Sequence, residues 1–272
     1  MQDASPGKLV ILSAFYDTLD VKPILENLIS ESGTLEISVS NDVFTDPSPG
    51  GMKNLHLEIS WENETRFFSL PEGLICKLPD DIEFLVDKIN LMYTTRIDLI
   101  KNLNLKGLGI EIGVQEGKFS KVILDNSNLH LILLDGWRFF KDGYLEVGNV
   151  PNDQHNKYLN ETLSNLIAPH EGRFTLMREL SQTAHQFFRD EFFDFIYLDS
   201  NHSYDFVTQE LENWWPKVKV GAILAGHDFV DRDAGFGVKS AVLNFCRRKD
   251  IKINVCDTGC CPTWFIKKIE SI

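Results

Sequence analysis

From Leu108 onward, short apolar runs alternate with stretches whose apolar residues return every three or four positions. That pattern predicts strand–helix–strand units, and hence a parallel sheet. The strands so predicted are Leu108–Ile112, Leu129–Leu134, Arg173–Met177, Phe193–Leu198, Ala222–Ala225, Lys252–Asp257 and Thr263–Lys267. Only Thr258-Gly-Cys-Cys-Pro262 separates the last two, which predicts an antiparallel hairpin at the sheet edge. The run Phe192–Leu198 is apolar apart from Asp194, and the chain then turns polar at Asp199, Asn201, His202, Ser203 and Asp205. Open α/β sheets bind ligands beyond the carboxyl ends of their strands, so this loop is the first candidate for chemistry. A helix pattern follows through Val207, Leu211, Trp214 and Trp215, and Pro216 ends it.

The first part of the chain has a different texture. Residues 8–80 read as β: Lys8–Tyr16 is strand-like, Leu35–Val39 alternates, and Leu55–Trp61 and Thr65–Leu70 flank a turn at Glu62-Asn63-Glu64. Asp46-Pro-Ser-Pro-Gly-Gly51 is a turn-rich connection. Residues 81–104 carry an apolar stripe through Ile82, Leu85, Val86, Ile89, Tyr93, Ile97, Ile100 and Leu103, which predicts a connecting helix. The expected organisation is a small β-rich domain at 1–80, the helix at 81–104 and an α/β domain at 105–272.

Composition narrows the function. With 272 residues, 43% apolar and 11% aromatic, the chain can bury a large core. A net charge of −13 argues against nucleic acid and anionic membrane as partners. No apolar run reaches the length of a membrane span, and the N-terminus lacks the charged-then-apolar pattern of a signal peptide. Five cysteines, an odd count, fit a reducing cytoplasm better than a disulfide framework. A homo-oligomer is compatible with all of this.

A glycine-rich turn sets the cofactor expectation. Gly109-Ile-Glu-Ile-Gly-Val-Gln-Glu-Gly117 follows a strand and opens a helix, where Gly113 and Gly117 let a ligand approach the backbone. Alone this is as readily a tight strand-to-helix turn. Asp135 strengthens it, since an acidic residue ending the next strand can accept hydrogen bonds from a ribose diol. Glu111 beside the first glycine would repel a pyrophosphate but suit a cation, so the charge pattern prefers S-adenosylmethionine to a nicotinamide dinucleotide. Glu111-x-Gly113-x-x-x-Gly117, the strand-end Asp135 and the Asp199-x-x-His202 loop resemble a class I S-adenosylmethionine-dependent methyltransferase. Further segments, among them Arg178-Glu-Leu-Ser-Gln-Thr-Ala-His, Leu224-Ala-Gly-His-Asp-Phe and Gly237-Val-Lys-Ser-Ala-Val, are similar to its small-molecule branch, which includes macrolide-sugar O-methyltransferases.

The resemblance implies a Rossmann-like seven-stranded methyltransferase sheet with helices on both faces, preceded by the β-rich domain. It implies Glu111, Gly113 and Gly117 at the cofactor's amino-acid end, Asp135 at the ribose and Ser181 near the adenine. Trp137 is a further pocket candidate, against the alternative of a buried helix face. Metal-dependent members hold a divalent cation at positions matching Asp199, His227 and Asp228, with Mg²⁺ or similar as the expected ion. His227 stands where those enzymes carry an acid. His202 matches the base of the Asp-x-x-His loop, so the expected reaction is O-methylation of a small-molecule acceptor, with Asp199 and His202 catalytic. The alternatives are a metal-independent N- or carboxyl-methyltransferase and a non-catalytic cofactor-binding or scaffold protein; Asp199 as a helix cap and His202 as a hydrogen-bonding neighbour are the plainer structural readings. Cys246, Cys256, Cys260 and Cys261 lack paired zinc spacing. Gly143–Tyr158 reads as an irregular lid or substrate loop, and His155 and His170 as solvated loop residues.

Overall fold

The computed structural model describes residues 8–49, 53–62, 64–82, 89–92, 95–141, 146, 148–232, 236–256 and 261–269. The predicted turn positions Asn63, Gly50 and Gly51, the residues Leu85, Val86, Tyr93 and Tyr144, and residues 258–260 lie outside these.

The N-terminal unit is β-rich, as its alternation predicts. Strands β1 (Val10–Tyr16), β2 (Leu19–Asp20), β4 (Asn54–Trp61) and β5 (Glu64–Pro71) form one antiparallel sheet in the order β2-β1-β4-β5; β3 (Leu35–Ser38) pairs with β6 (Ile75–Leu78). Two short helices, α1 (Lys22–Leu28) and α2 (Asn41–Phe44), were not foreseen. Leu25 and Phe44 are their buried residues, and helices this short carry too few anchors for a 3.6 period to emerge.

The predicted helix over 81–104 is corrected. Its described part holds a strand, β7 (Ile89–Met92), and a helix, α3 (Arg96–Asn102). Thr95 caps α3 by accepting a hydrogen bond from the Asp98 N–H at 3.0 Å, which fixes the start of the helix after the strand. A dense apolar stretch suits a strand in a large sheet as well as a helix, and periodicity alone does not separate the two.

The second unit runs β8 (Lys106–Ile112), α4 (Lys118–Asp125), β9 (Asn128–Asp135), α5 (Asn152–His170), β10 (Phe174–Arg178), α6 (Ser181–Ala184), β11 (Phe193–Leu198), α7 (Tyr204–Trp214), β12 (Val218–Gly226), β13 (Asp231–Arg232), β14 (Phe236–Gly237), α8 (Val238–Lys249), β15 (Ile253–Cys256) and β16 (Thr263–Lys267). All seven predicted strands join one sheet, ordered β10-β9-β8-β11-β12-β16-β15-β7. β16 runs antiparallel to both neighbours, so the hairpin stands, but the edge belongs to β7, which pairs parallel with β15 as an eighth strand. The expected seven-stranded α/β sheet is therefore present with an added strand.

Both faces of the sheet are covered, which is why its central strands read as near-continuous apolar runs. Phe195 and Tyr197 of β11 pack on one face with Phe119 and Ile123 of α4 and Leu166 of α5. Ile196 and Leu198 face the other way, toward Leu211 and Trp214 of α7 and Val242 and Phe245 of α8. That second core continues into Tyr16, Leu25, Leu57 and Cys76 of the N-terminal unit, so one hydrophobic core joins the two. No helix among the described residues is long and apolar enough to cross a membrane.

Candidate active site

β8, β9, β11 and β12 end at one edge of the sheet, where the chain order reverses between β8 and β11. Beyond these ends opens a cavity of about 750 Å³, lined by Glu111, Gly113, Asp135, Trp137, Ser181, Asp199, His202 and Asp228 among others.

Gly113 sits at the junction. Its N–H donates to the Leu134 carbonyl at 2.9 Å, while the Asp199 N–H donates to the Ile112 carbonyl at 2.8 Å, so three strand ends are stitched together. A Cβ on Gly113, at φ +91°, would drive into the Asp199 carbonyl oxygen. Gly117, at φ +71°, begins α4 with no side-chain cap, and a Cβ there would press on Thr162 of α5 at 2.9 Å. Both glycines are thus required by backbone approach.

The acids divide by environment. Glu111 is buried, accepts from the Ser120 hydroxyl and is pushed up by burial to about 8. Asp135 accepts the N–H groups of Val114 at 3.0 Å and Gln115 at 2.9 Å on one oxygen, and that of Trp137 at 2.7 Å on the other. It therefore braces the glycine turn while lining the cavity. Trp137 is buried at φ +38°, and its indole N–H donates to the Gln115 carbonyl at 2.8 Å. Ser181, also buried, lines the cavity at the start of α6.

On the opposite side the catalytic candidates converge. His202 Nδ1 lies 2.9 Å from Glu146 Oε2, and the His202 backbone N–H donates to Glu146 Oε1 at 2.7 Å. Its Nε2 lies 3.0 Å from Asp228 Oδ2 and 4.0 Å from Asp199 Oδ1, and its ring stacks on Phe236 with centroids 4.6 Å apart. Burial opposes a charge on His202, but the hydrogen bonds to Asp228 and Glu146 outweigh it and carry the imidazole up to about 10. Burial likewise opposes ionisation of Asp228, and contacts with His202 and His227 overcome it and hold its carboxyl below the usual range. Asp199 goes the other way, raised by burial, although Arg96 stands 3.8 Å away. Asp228 adopts φ +52°, a strained conformation of the kind that gathers at functional sites.

The clustered donor atoms differ in one member from the expected ligand set, with His202 where His227 was expected. Among the described residues, the group whose donor atoms all lie within 4.8 Å of one another is Asp199, His202 and Asp228. His227 Nδ1 lies 3.2 Å from Asp228 Oδ2, and His227 lines a small adjoining pocket together with Asp199 and His202. Cys76, Cys246 and Cys256 are buried free thiols outside this cluster.

Three cavity residues escaped the sequence reading. Glu146 lies in an aperiodic stretch with no motif around it. Arg96, stacked over Phe119 at 3.9 Å, belongs to the segment assigned wholly to a helix bridge. His155 and His170 are not solvated loop residues: both are buried on α5, which begins at Asn152 inside the predicted lid. His170 Nε2 lies 3.0 Å from Asp125 Oδ1.

Residues 110–229 match the model of a family described as a methyltransferase domain. An uncharacterized protein of Sinorhizobium fredii is 28% identical over 90 residues; the match spans 32% of this chain and only 10% of that relative's length. Among solved structures, a Streptococcus mutans protein described as a candidate methyltransferase, in complex with SAH, is similar at 14% identity and TM-score 0.47, over 65% of this chain and 100% of that one. An rRNA methylase from Streptococcus thermophilus is similar at 11% identity and TM-score 0.45, over 64% and 94%. The N-methyltransferase NodS from Bradyrhizobium japonicum is similar at 14% identity and TM-score 0.43, over 64% and 95%.

Proposed function

We propose that the S-adenosylmethionine-dependent methyltransferase carried on residues 110–229 methylates a hydroxyl oxygen of a small polar acceptor, with a divalent cation at Asp199 and Asp228. The observation that carries this reading is the convergence of Asp199, His202 and Asp228 on the wall of the cavity that Gly113 opens.

The residues fit both groups. Gly113 and Gly117 leave bare backbone where the cofactor's amino-acid end would lie, and the carboxylates around them suit its positive charges. The carboxylate oxygens of Asp199 and Asp228 suit Mg²⁺ or a similar ion. S-adenosylmethionine brings a methyl group already activated on a sulfonium, and a divalent cation would lower the pKa of a bound hydroxyl. What remains for the chain is positioning and proton handling. Glu146 and Phe236 fix the His202 ring, so Nε2 faces Asp228 and Asp199. Pressed between two carboxylates, His202 carries its proton; it accepts another only after losing that one, so Asp228 and His202 together form the couple through which an acceptor proton leaves. The net charge of −13 and the acidic site favour a small acceptor over nucleic acid.

Release of S-adenosylhomocysteine, measured across a panel of hydroxylated metabolites with Mg²⁺ or with chelator, tests this. Transfer to a hydroxyl that stops with chelator is expected, and Asp199→Asn should lower it at least about 100-fold. Transfer confined to amines or carboxylates would remove the oxygen assignment, and transfer indifferent to chelator would remove the metal.

A further inference from the structure

One polar atom on the cavity wall is not explained by proton transfer or by the glycine turn. His155 is 8% exposed, lines the cavity, and its Nε2 has no hydrogen-bond partner among the described residues. A buried polar nitrogen without a partner is costly, and such groups are ordinarily satisfied.

We propose that His155 is a cofactor-binding residue whose Nε2 hydrogen-bonds a ribose hydroxyl of the adenosyl group. This rests on the reading of the cavity as the S-adenosylmethionine site. His155, Thr162 and Leu166 are buried positions of α5, spaced to share one helix face. That face is tied to the glycine turn: the Thr162 hydroxyl donates to the Gln115 carbonyl at 3.1 Å, and the Asn165 amide to the Glu116 carbonyl at 3.3 Å. The tie sets His155 about two turns nearer the helix N-terminus, where it lines the same cavity as Asp135, Gly136 and Trp137.

Asp135 explains why a second group is needed there. Its two oxygens already accept three backbone N–H groups, which leaves little capacity for a diol. An imidazole beside it supplies the missing partner. Burial lowers the pKa of His155 and so favours the neutral ring. A neutral ring donates or accepts toward a hydroxyl, and it adds no positive charge next to a sulfonium ligand.

Calorimetry on the full chain with S-adenosylhomocysteine and with its analogue lacking the ribose hydroxyls tests the assignment. His155→Phe should weaken S-adenosylhomocysteine about 10-fold, the loss of one hydrogen bond to a buried group. The same substitution should leave binding of the deoxy analogue within about twofold, since the partner is gone from both sides of the cycle. His155→Gln, which keeps a polar atom near the Nε2 position, should restore most of the affinity. It also supplies the comparison if the Phe variant is misfolded, because Gln should then bind the hydroxylated ligand preferentially as the native chain does. Equal weakening of both ligands, or no weakening of either, would overturn the role of His155. No binding of S-adenosylhomocysteine by the native chain would instead overturn the cofactor site itself, and this assignment with it.

Discussion

Gly113 is where a single added carbon would do most damage. A methyl group there meets the Asp199 carbonyl, and the φ of +91° is strained for any other residue. Gly113→Ala is expected to lower stability by about 1–3 kcal/mol in urea unfolding and to weaken cofactor binding, because the backbone carrying Asp199 must move. Unchanged stability would mean that the strand ends are not stitched as described. His202 gives a second prediction. Its folded pKa, about 10, lies above the ordinary histidine value, so its contribution to stability is full below about pH 6.5 and is lost as pH rises through about 10. With chelator present, the native chain's stability advantage over His202→Gln should shrink steadily from pH 6 to 10; a constant difference would contradict the paired imidazolium. Gly113, Asp199, His202 and Asp228 were legible because each stands at a strand end in the sequence. Glu146 and His155 were not: nothing periodic surrounds the first, and the second is a lone histidine whose burial depends on where α5 docks.

At the scale of elements, the sheet was readable because its strands are apolar on both faces and separated by helical periods. The segment 81–104 was not, since an apolar stretch alone does not choose between strand and helix. The connection between β9 and α5 matters most for function, because it places Glu146 against His202. Glu146→Gln leaves a single oxygen to accept where the carboxylate offers two, so the ring loses its fixed orientation. Methyl transfer is expected to fall about 10–100-fold, as for other groups that orient a site imidazole, with S-adenosylhomocysteine affinity unchanged by calorimetry. Loss of affinity in proportion would place Glu146 on the cofactor instead.

At the scale of the molecule, the N-terminal unit is joined to the sheet by a common core and by specific polar contacts. The Ser240 hydroxyl donates to the Gly73 carbonyl at 2.6 Å and lies 2.7 Å from Asp231, and Arg247 pairs with Asp81 at 3.0 Å. Asp231 lies three residues beyond Asp228, so these contacts border the turn that carries Asp228. Calorimetric melting should show one cooperative transition, which Ser240→Ala shifts as a whole by about 1 kcal/mol in stability. Two separable transitions would contradict the shared core. The sequence separated these units by texture, and it gave no sign of their common core, because that core joins residues far apart in the chain.

If the cavity beyond β8 and β11 is a methyl-donor site, the folded chain binds S-adenosylhomocysteine at equilibrium. Titration calorimetry should show one molecule bound per chain with a dissociation constant on the order of micromolar. Absence of binding at millimolar ligand, with the chain shown to be folded, would contradict a methyl-donor site there.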